Sequence, residues 1–307
     1  MNNILNINFA RLTQIDEFFQ DYRIAVTRLP ENKITPLDDE PVDGEPVKTS
    51  DNYVRSFARG LEVIKSFSSE HPEQTLTEVA ANSGLTRAGA RRILLTLVNL
   101  GYVENEGRLF RLTPKILDLG FAYLSSMPFW DVAEPIVETL VQEVKEGSSI
   151  STLDGTDVVY VLRVPTRKIM TVNISIGSRL PAALTSMGRV LLSGLDDQSL
   201  DTHLQAFLAK QDSGRATPAS FQELRNAILT VRKQGWALVN QELEAGLISI
   251  AAPIYGRNNR IIAAINVFSI SDYNNSEDRM KAMLPSLLKA AERITQLTTR
   301  RPRMFPI

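Results

Sequence analysis

Cysteine is missing from all 307 residues, which excludes disulfide scaffolds, iron–sulfur clusters, cysteine zinc sites and thiol nucleophiles together. Histidine is nearly missing as well: His71 and His203 are too few to supply a histidine-based metal centre. No apolar run reaches the ~18–20 residues that span a bilayer, and Met1 to Arg11 lacks the basic start and apolar core of a signal peptide. The cytoplasm is therefore the expected compartment, with no membrane partner. The G-x-S-x-G elbow, the Walker loop, G-x-G-x-x-G and H-E-x-x-H are absent too, so no catalytic centre, metal or cofactor is expected.

What is present suits about two globular domains: 43% hydrophobic and 22% charged residues lie in the ordinary range for soluble chains of this size. The 34 basic and 35 acidic side chains nearly cancel, but not locally. Residues 85–115 hold six basic side chains (Arg87, Arg91, Arg92, Arg108, Arg111, Lys115) against two acidic ones, Glu104 and Glu106. Such a stripe is a footprint for a polyanion, although a solvated face carries the same charge.

Residues 1–50 join a possible amphipathic helix, Leu12–Tyr22, to an acidic stretch with prolines from Pro30 to Pro46, which reads as a flexible arm. Helical periodicity then begins: Phe57, Leu61, Ile64 and Phe67 mark a first helix that His71-Pro72 stops. Leu76–Ala81 forms a short second helix with Thr77 as its cap, and Thr86 opens a third that runs to Leu100. At 100° per residue, Ala90, Ile93, Leu94 and Leu97 of that helix face the core, and Ala88, Arg91, Arg92, Thr96 and Asn99 face away. Small residues at Ala88 and Gly89 allow close approach to a duplex, the arginines can reach guanine edges or phosphates, and Thr86 can present backbone N–H groups to a phosphate. Two alternating strands around Gly107, carrying Arg108 and Arg111, complete a winged helix over residues 51–113.

A helix apolar on most sides, Lys115–Ser126, follows as a linker over 114–127; its cover is either a second subunit or an intrachain core. After a helix at Trp130–Glu146, strands are expected at Ser149–Leu153, Val158–Val164, Ile169–Ile174, Trp236–Asn240, Leu247–Tyr255 and Ile261–Ile270. Helices are expected at Ser186–Ser193, Gln198–Leu208, Pro218–Gln234 and Ser276–Thr299. Short gaps between strands favour antiparallel pairing, in an α+β domain over 128–300 large enough to enclose a pocket. Two features resemble catalytic ones: His203, expected at the surface, and Glu242 with Glu244, which an extended chain turns to opposite faces.

The residues also carry a family resemblance. Ser56-Phe57-Ala58-Arg59-Gly60-Leu61 and Arg87-Ala88-Gly89-Ala90-Arg91-Arg92 resemble the opening and recognition helices of the IclR family of bacterial transcriptional regulators. Gly177-Ser178-Arg179-Leu180-Pro181-Ala182, Thr185-Ser186-Met187-Gly188-Arg189 and Glu242-Leu243-Glu244-Ala245-Gly246-Leu247 are similar to its effector-domain core. Lys115-Ile116-Leu117-Asp118-Leu119-Gly120 points to the branch that controls the β-ketoadipate pathway of aromatic-acid catabolism.

The resemblance implies an N-terminal winged helix-turn-helix, a linker helix and a C-terminal GAF-like effector domain, assembled as a homodimer or homotetramer. The implied partners are a double-stranded DNA operator and a small organic acid, β-ketoadipate or protocatechuate-like. The DNA-contacting set is then Arg55, Arg59, Thr86, Arg87, Ala88, Gly89, Arg91, Arg92, Arg108 and Arg111; the effector set matches Met170, Asn173, Ser186, Met187, Gly188, Leu247, Ser249, Asn266 and Phe268. Val239 stands where many members have an acidic or serine residue, which favours a carboxylate ligand, and Arg163, Arg167 and Arg179 are candidates to meet its charge. The rival reading is a metabolic enzyme for an aromatic-pathway acid with a vestigial helix-turn-helix.

Overall fold

The computed structural model describes residues 53–126, 129–166, 174–210, 220–270 and 276–300. The expected arm at 1–50, with its helix Leu12–Tyr22, lies outside them, as does nearly all of the expected strand Ile169–Ile174. Two compact units divide between Tyr123 and Leu124.

The N-terminal unit runs α1 (Arg55–Lys65), β1 (Glu73–Thr75), α2 (Leu76–Asn82), α3 (Arg87–Leu100), β2 (Val103–Glu106) and β3 (Leu109–Leu112). Val63, Val79, Ala80, Ala90, Leu94, Leu97 and Val103 form its buried core, so α3 turns inward the face that its periodicity selects. Strand β1 was not foreseen: it is three residues long and pairs antiparallel with β3, which in turn pairs with β2. Because the strand ends at Thr75, the cap of α2 is Thr75 and not Thr77. The Thr75 side chain accepts the Glu78 N–H at 3.4 Å, and the Glu78 carboxylate accepts the Thr75 N–H at 2.7 Å. Of two threonines in the sequence, the one with a glutamate three residues on completes the reciprocal box.

A 3₁₀ turn at Pro114–Ile116 leads into α4 (Leu117–Ser126), within which the division between the units falls. Next come α5 (Phe129–Val144), β4 (Gly147–Asp154), β5 (Asp157–Val164), β6 (Arg179–Pro181), α6 (Ser186–Ser193), α7 (Asp197–Ala209), α8 (Phe221–Gln234), β7 (Ala237–Asn240), β8 (Leu247–Tyr255), β9 (Ile261–Ile270) and α9 (Ser276–Arg300). The strands make one six-stranded sheet, order β6-β5-β4-β9-β8-β7, antiparallel throughout as the short connections require. Strand β6, short and at the sheet edge, escaped the sequence reading. Among the described residues no helix is long and apolar enough to cross a membrane.

Both faces of this sheet are covered. On one, Ile248, Ile250, Ala252 and Ile254 of β8 and Ile265 and Val267 of β9 pack with Val137 and Leu140 of α5 and Leu287, Ala291 and Ile294 of α9. On the other lies α6, whose eight residues are all buried. Its approach depends on Gly188: a Cβ there would sit 2.1 Å from the Ala182 carbonyl oxygen. The 3₁₀ turn Ala182–Leu184 is thereby pressed against the first turn of α6. Replacing Gly188 with Ala should destabilise the C-terminal unit by about 1–3 kcal/mol through overpacking. Chemical denaturation measures this, and an unchanged midpoint would contradict the contact.

Candidate DNA-reading surface and effector cavity

Helix α3 begins where Thr86 Oγ1 accepts the Gly89 N–H at 3.2 Å. Thr86, Arg87, Ala88, Arg91 and Arg92 are exposed and Gly89 is half-buried, so the small and basic residues of its first two turns share one open arc. Arg55 and Arg59 on α1 are exposed as well. The wing departs from expectation. Arg108 stands exposed at the hairpin turn, but Arg111 is ion-paired with Glu104 at 2.6 Å, Glu73 at 3.2 Å and Glu106 at 3.4 Å. The register places Glu73 and Glu104 directly opposite Arg111 across two strand pairs. Three carboxylates around one guanidinium repel a phosphate, so Arg108 and not Arg111 supplies the wing's positive charge. Glu73 belongs to the unforeseen strand β1, which is why the sequence pattern did not reveal the cage.

The second site lies between the sheet and α6. A cavity of about 30 Å³ is bounded by Met187, Val239, Leu243, Leu247 and Phe268, with Tyr160, Thr185, Ser186, Ser249 and Asn266 as its polar lining. Ser186 and Ser249 share a hydrogen bond of 2.8 Å between their hydroxyls. Asn266 Oδ1 accepts the Ser149 N–H at 2.9 Å. Burial raises the Tyr160 hydroxyl above its ordinary range, so the cavity holds it as a neutral donor.

Of the nine residues expected to hold an effector, Ser186, Met187, Leu247, Ser249, Asn266 and Phe268 meet at this cavity. Gly188 does not: it faces Ala182, and its role is to let α6 approach. Met170 and Asn173 lie outside the described residues, as does Arg167. Arg179 is engaged by Asp154 at 2.6 Å and Asp157 at 3.2 Å, which removes it from the candidates for the ligand's charge. Arg163 donates to the Ile174 carbonyl and lies over the Phe268 ring, 5.5 Å from its centroid. The sequence reading missed Tyr160, Thr185 and Leu243. A β-bulge hides the facing of Tyr160, and Leu243 sits in a loop where periodicity says nothing.

The two features that resembled catalytic ones find other roles. Glu242 pairs bidentately with Arg189, Nη1 to Oε1 at 2.8 Å, and Arg189 Nε also donates to the Ala183 carbonyl at 3.0 Å. This clip joins residues 241–246, which carry Leu243 into the cavity wall, to α6. The Glu244 carboxyl is half-buried, and desolvation pushes its pKa up from 4.5 to about 7. His203 is half-buried and not at the surface as expected, because α7 turns it toward Thr156 and Asp157. Burial lowers its pKa, and its Nε2 has no hydrogen-bond partner among the described residues.

Known proteins share this arrangement. Residues 56–107 match the IclR helix-turn-helix domain, and residues 121–296 match the bacterial transcriptional regulator IclR C-terminal domain. The chain belongs to the IclR family. Its relatives include the Pca regulon regulatory protein of Pseudomonas putida, 39% identical over 78% of this chain and 82% of that one. The p-hydroxybenzoate hydroxylase transcriptional activator of Acinetobacter baylyi is 32% identical over 84% of this chain and 96% of that one. A transcriptional regulator of Rhodococcus sp. RHA1, known from a crystal structure, is 49% identical with a TM-score of 0.69 over 80% of this chain and 98% of that one. An IclR homologue of Microbacterium hydrocarbonoxydans, solved with 4-hydroxybenzoate, shares the fold at 20% identity and a TM-score of 0.65, over 79% of this chain and 99% of that one. The expectation of a DNA-binding regulator is borne out. The enzyme reading finds no support, since these IclR relatives are named as regulators.

Two measurements test the site. Arg91→Ala should weaken operator binding by about 1–3 kcal/mol if its guanidinium reads a base edge, and a mobility-shift titration that shows no change would displace Arg91 from the interface. The second concerns Glu244. The folded chain keeps this proton up to about pH 7, whereas the unfolded chain releases it near 4.5, so stability falls as pH rises through that window. Glu244→Gln should therefore melt above the wild type at pH 8 and close to it at pH 4.5; a pH-independent gap would show that the carboxyl is not desolvated.

Proposed function

We propose that this IclR-family regulator controls genes of aromatic-acid catabolism in the cytoplasm, reading a double-stranded operator with α3 and sensing protocatechuate or β-ketoadipate in the cavity beneath α6. The observation that carries the reading is the cavity itself: neutral donors from Tyr160, Ser186, Ser249 and Asn266 within apolar walls suit a small oxygenated acid. The names of relatives add support, two of them Pca regulators at 39% and 30% identity, together with the hydroxybenzoate hydroxylase activator. At the DNA, Thr86, Arg87, Ala88, Gly89, Arg91 and Arg92 approach the major groove, with Arg55, Arg59 and Arg108 on the backbone.

A cavity of about 30 Å³ admits a water or two, not a six-carbon acid. Ligand entry therefore requires α6 or residues 241–246 to yield, which makes the widened arrangement the one that the effector favours. That difference in affinity between two arrangements is what regulation needs. The exposed Leu117, Leu119, Phe121 and Tyr123 of α4 support a homodimer or homotetramer with a second copy covering them. Paired winged helices then read half-sites separated by whole turns of DNA, ~34 Å or a multiple.

The test is a mobility-shift titration on the promoter regions that flank this protein's own gene. One of the two acids should change operator affinity by roughly 5- to 150-fold. If neither acid shifts it, the effector assignment fails. Salt-insensitive, indiscriminate retention of all duplexes would overturn the DNA reading as well.

A further inference from the structure

Helix α3 keeps its arginines in its first two turns, and its last turn has no basic residue to meet the partial negative charge of its end carbonyls. The Leu97 and Val98 carbonyls accept the N–H groups of Tyr102 and Gly101, each at 2.9 Å, with Gly101 in the left-handed conformation that ends many helices. The carbonyls after them are met from further along the chain. Lys115 Nζ donates to the Leu100 carbonyl at 2.8 Å, Thr113 Oγ1 to the Gly101 carbonyl at 2.6 Å, and the Thr113 N–H to the Tyr102 carbonyl at 2.9 Å. Lys115 Nζ also stands over the Tyr102 ring, 5.0 Å from its centroid.

Thr113 and Lys115 form the root of α4. Thr113 is the N-cap residue of the 3₁₀ turn Pro114–Ile116, from which α4 continues at Leu117. A threonine in that place ordinarily turns its hydroxyl to an N–H of its own helix. Here it makes no such bond and reaches α3 instead. Lys115 belongs by sequence to the basic stripe of residues 85–115, yet it holds the rear of α3, a helix of 14 residues or ~21 Å, and not the end that carries Arg87. Three consecutive carbonyls behind the recognition helix are thus held by two residues that lead into the linker.

We propose that Thr113 and Lys115 are positioning residues that lock the recognition helix to the linker helix, so that the effector's influence on operator affinity passes through this joint. This rests on the effector reading above. The arc Thr86–Arg92 then meets the groove at an angle set by α4, and a turn of α4 carries it along. With the joint cut, α3 keeps its place in the core through Ala90, Leu94 and Leu97, but no longer follows α4. Lys115 contributes alignment and no phosphate contact.

The test uses the full chain and the double variant Thr113→Val, Lys115→Met, which removes both side-chain donors and keeps their bulk. Because the chain has no cysteine, Asn99→Cys and Asp118→Cys take spin labels at those two places alone. With labelled chain diluted in unlabelled chain, the distance distribution between the labels should be narrow in the wild-type background and broad in the double variant. Mobility-shift titrations on the DNA flanking the gene, with and without protocatechuate or β-ketoadipate, read the coupling. The acid-induced change in operator affinity should fall from roughly 5- to 150-fold in the wild type to below about twofold in the double variant. Calorimetric affinity for the acid and the salt dependence of DNA binding should stay as they are. Lys115→Arg, which keeps the charge, should regain part of the response. An unbroadened distribution, or a full acid response in the double variant, would overturn the proposal. A salt slope lowered by about one in Lys115→Met would make Lys115 a phosphate contact and overturn it too. If no acid alters operator binding by the wild type, the effector reading fails, and the distance distribution alone decides the joint.

Discussion

A sheet covered on both faces has no solvent side, and the C-terminal unit is organised by that constraint. One face resolves it with aliphatic side chains against α5 and α9. The other carries Ser149, Ser151, Ser249 and Asn266 under α6, where each polar group must find a partner in the protein or in a ligand. Most do so locally: Ser186 with Ser249, Ser151 with Met187, Asn266 with the Ser149 backbone. The Ser149 hydroxyl alone of these is left without a hydrogen-bond partner among the described residues, so this face is more polar than a purely structural core requires.

The elements around the cavity are tied by charge as well as by packing. Arg189 is buried, yet it reaches both the Ala183 carbonyl and the Glu242 carboxylate, joining the turn before α6 to the loop before β8. A buried pair of this kind contributes little net stability against an apolar pair, but breaking one partner leaves a costly unpaired charge. Its worth lies in fixing one arrangement of α6 and that loop. Both contribute walls of the cavity, so a motion at one is transmitted to the other.

Much of this was legible in the sequence where burial is periodic. The bounds of α6, β8 and β9 coincide with their expected ones, because a helix of alternating small and aliphatic residues and two long strands bounded by Gly256 and polar turns leave little choice. Six of the nine residues that the family resemblance implied for the effector also came together at the cavity. What stayed hidden depends on pairings distant in sequence. Arg111 reads as a DNA contact until Glu73, 38 residues earlier, is seen to pair with it. Strands β1 and β6, three residues each, carry too few side chains to show a period. His203 reads as an exposed helix residue until Thr156 and Asp157 fold over it.

The extra residue at Val161 has an evolutionary corollary. Ile150 pairs with Leu162 and Ser151 with Tyr160, so deleting Val161 would restore regular alternation and leave both pairs on the faces they already occupy. Only the core beneath α5 and α9 would change, by the loss of one aliphatic side chain. A related chain could thus drop this residue at a cost to core packing alone, while the pattern that β5 turns toward α6 stays as it is.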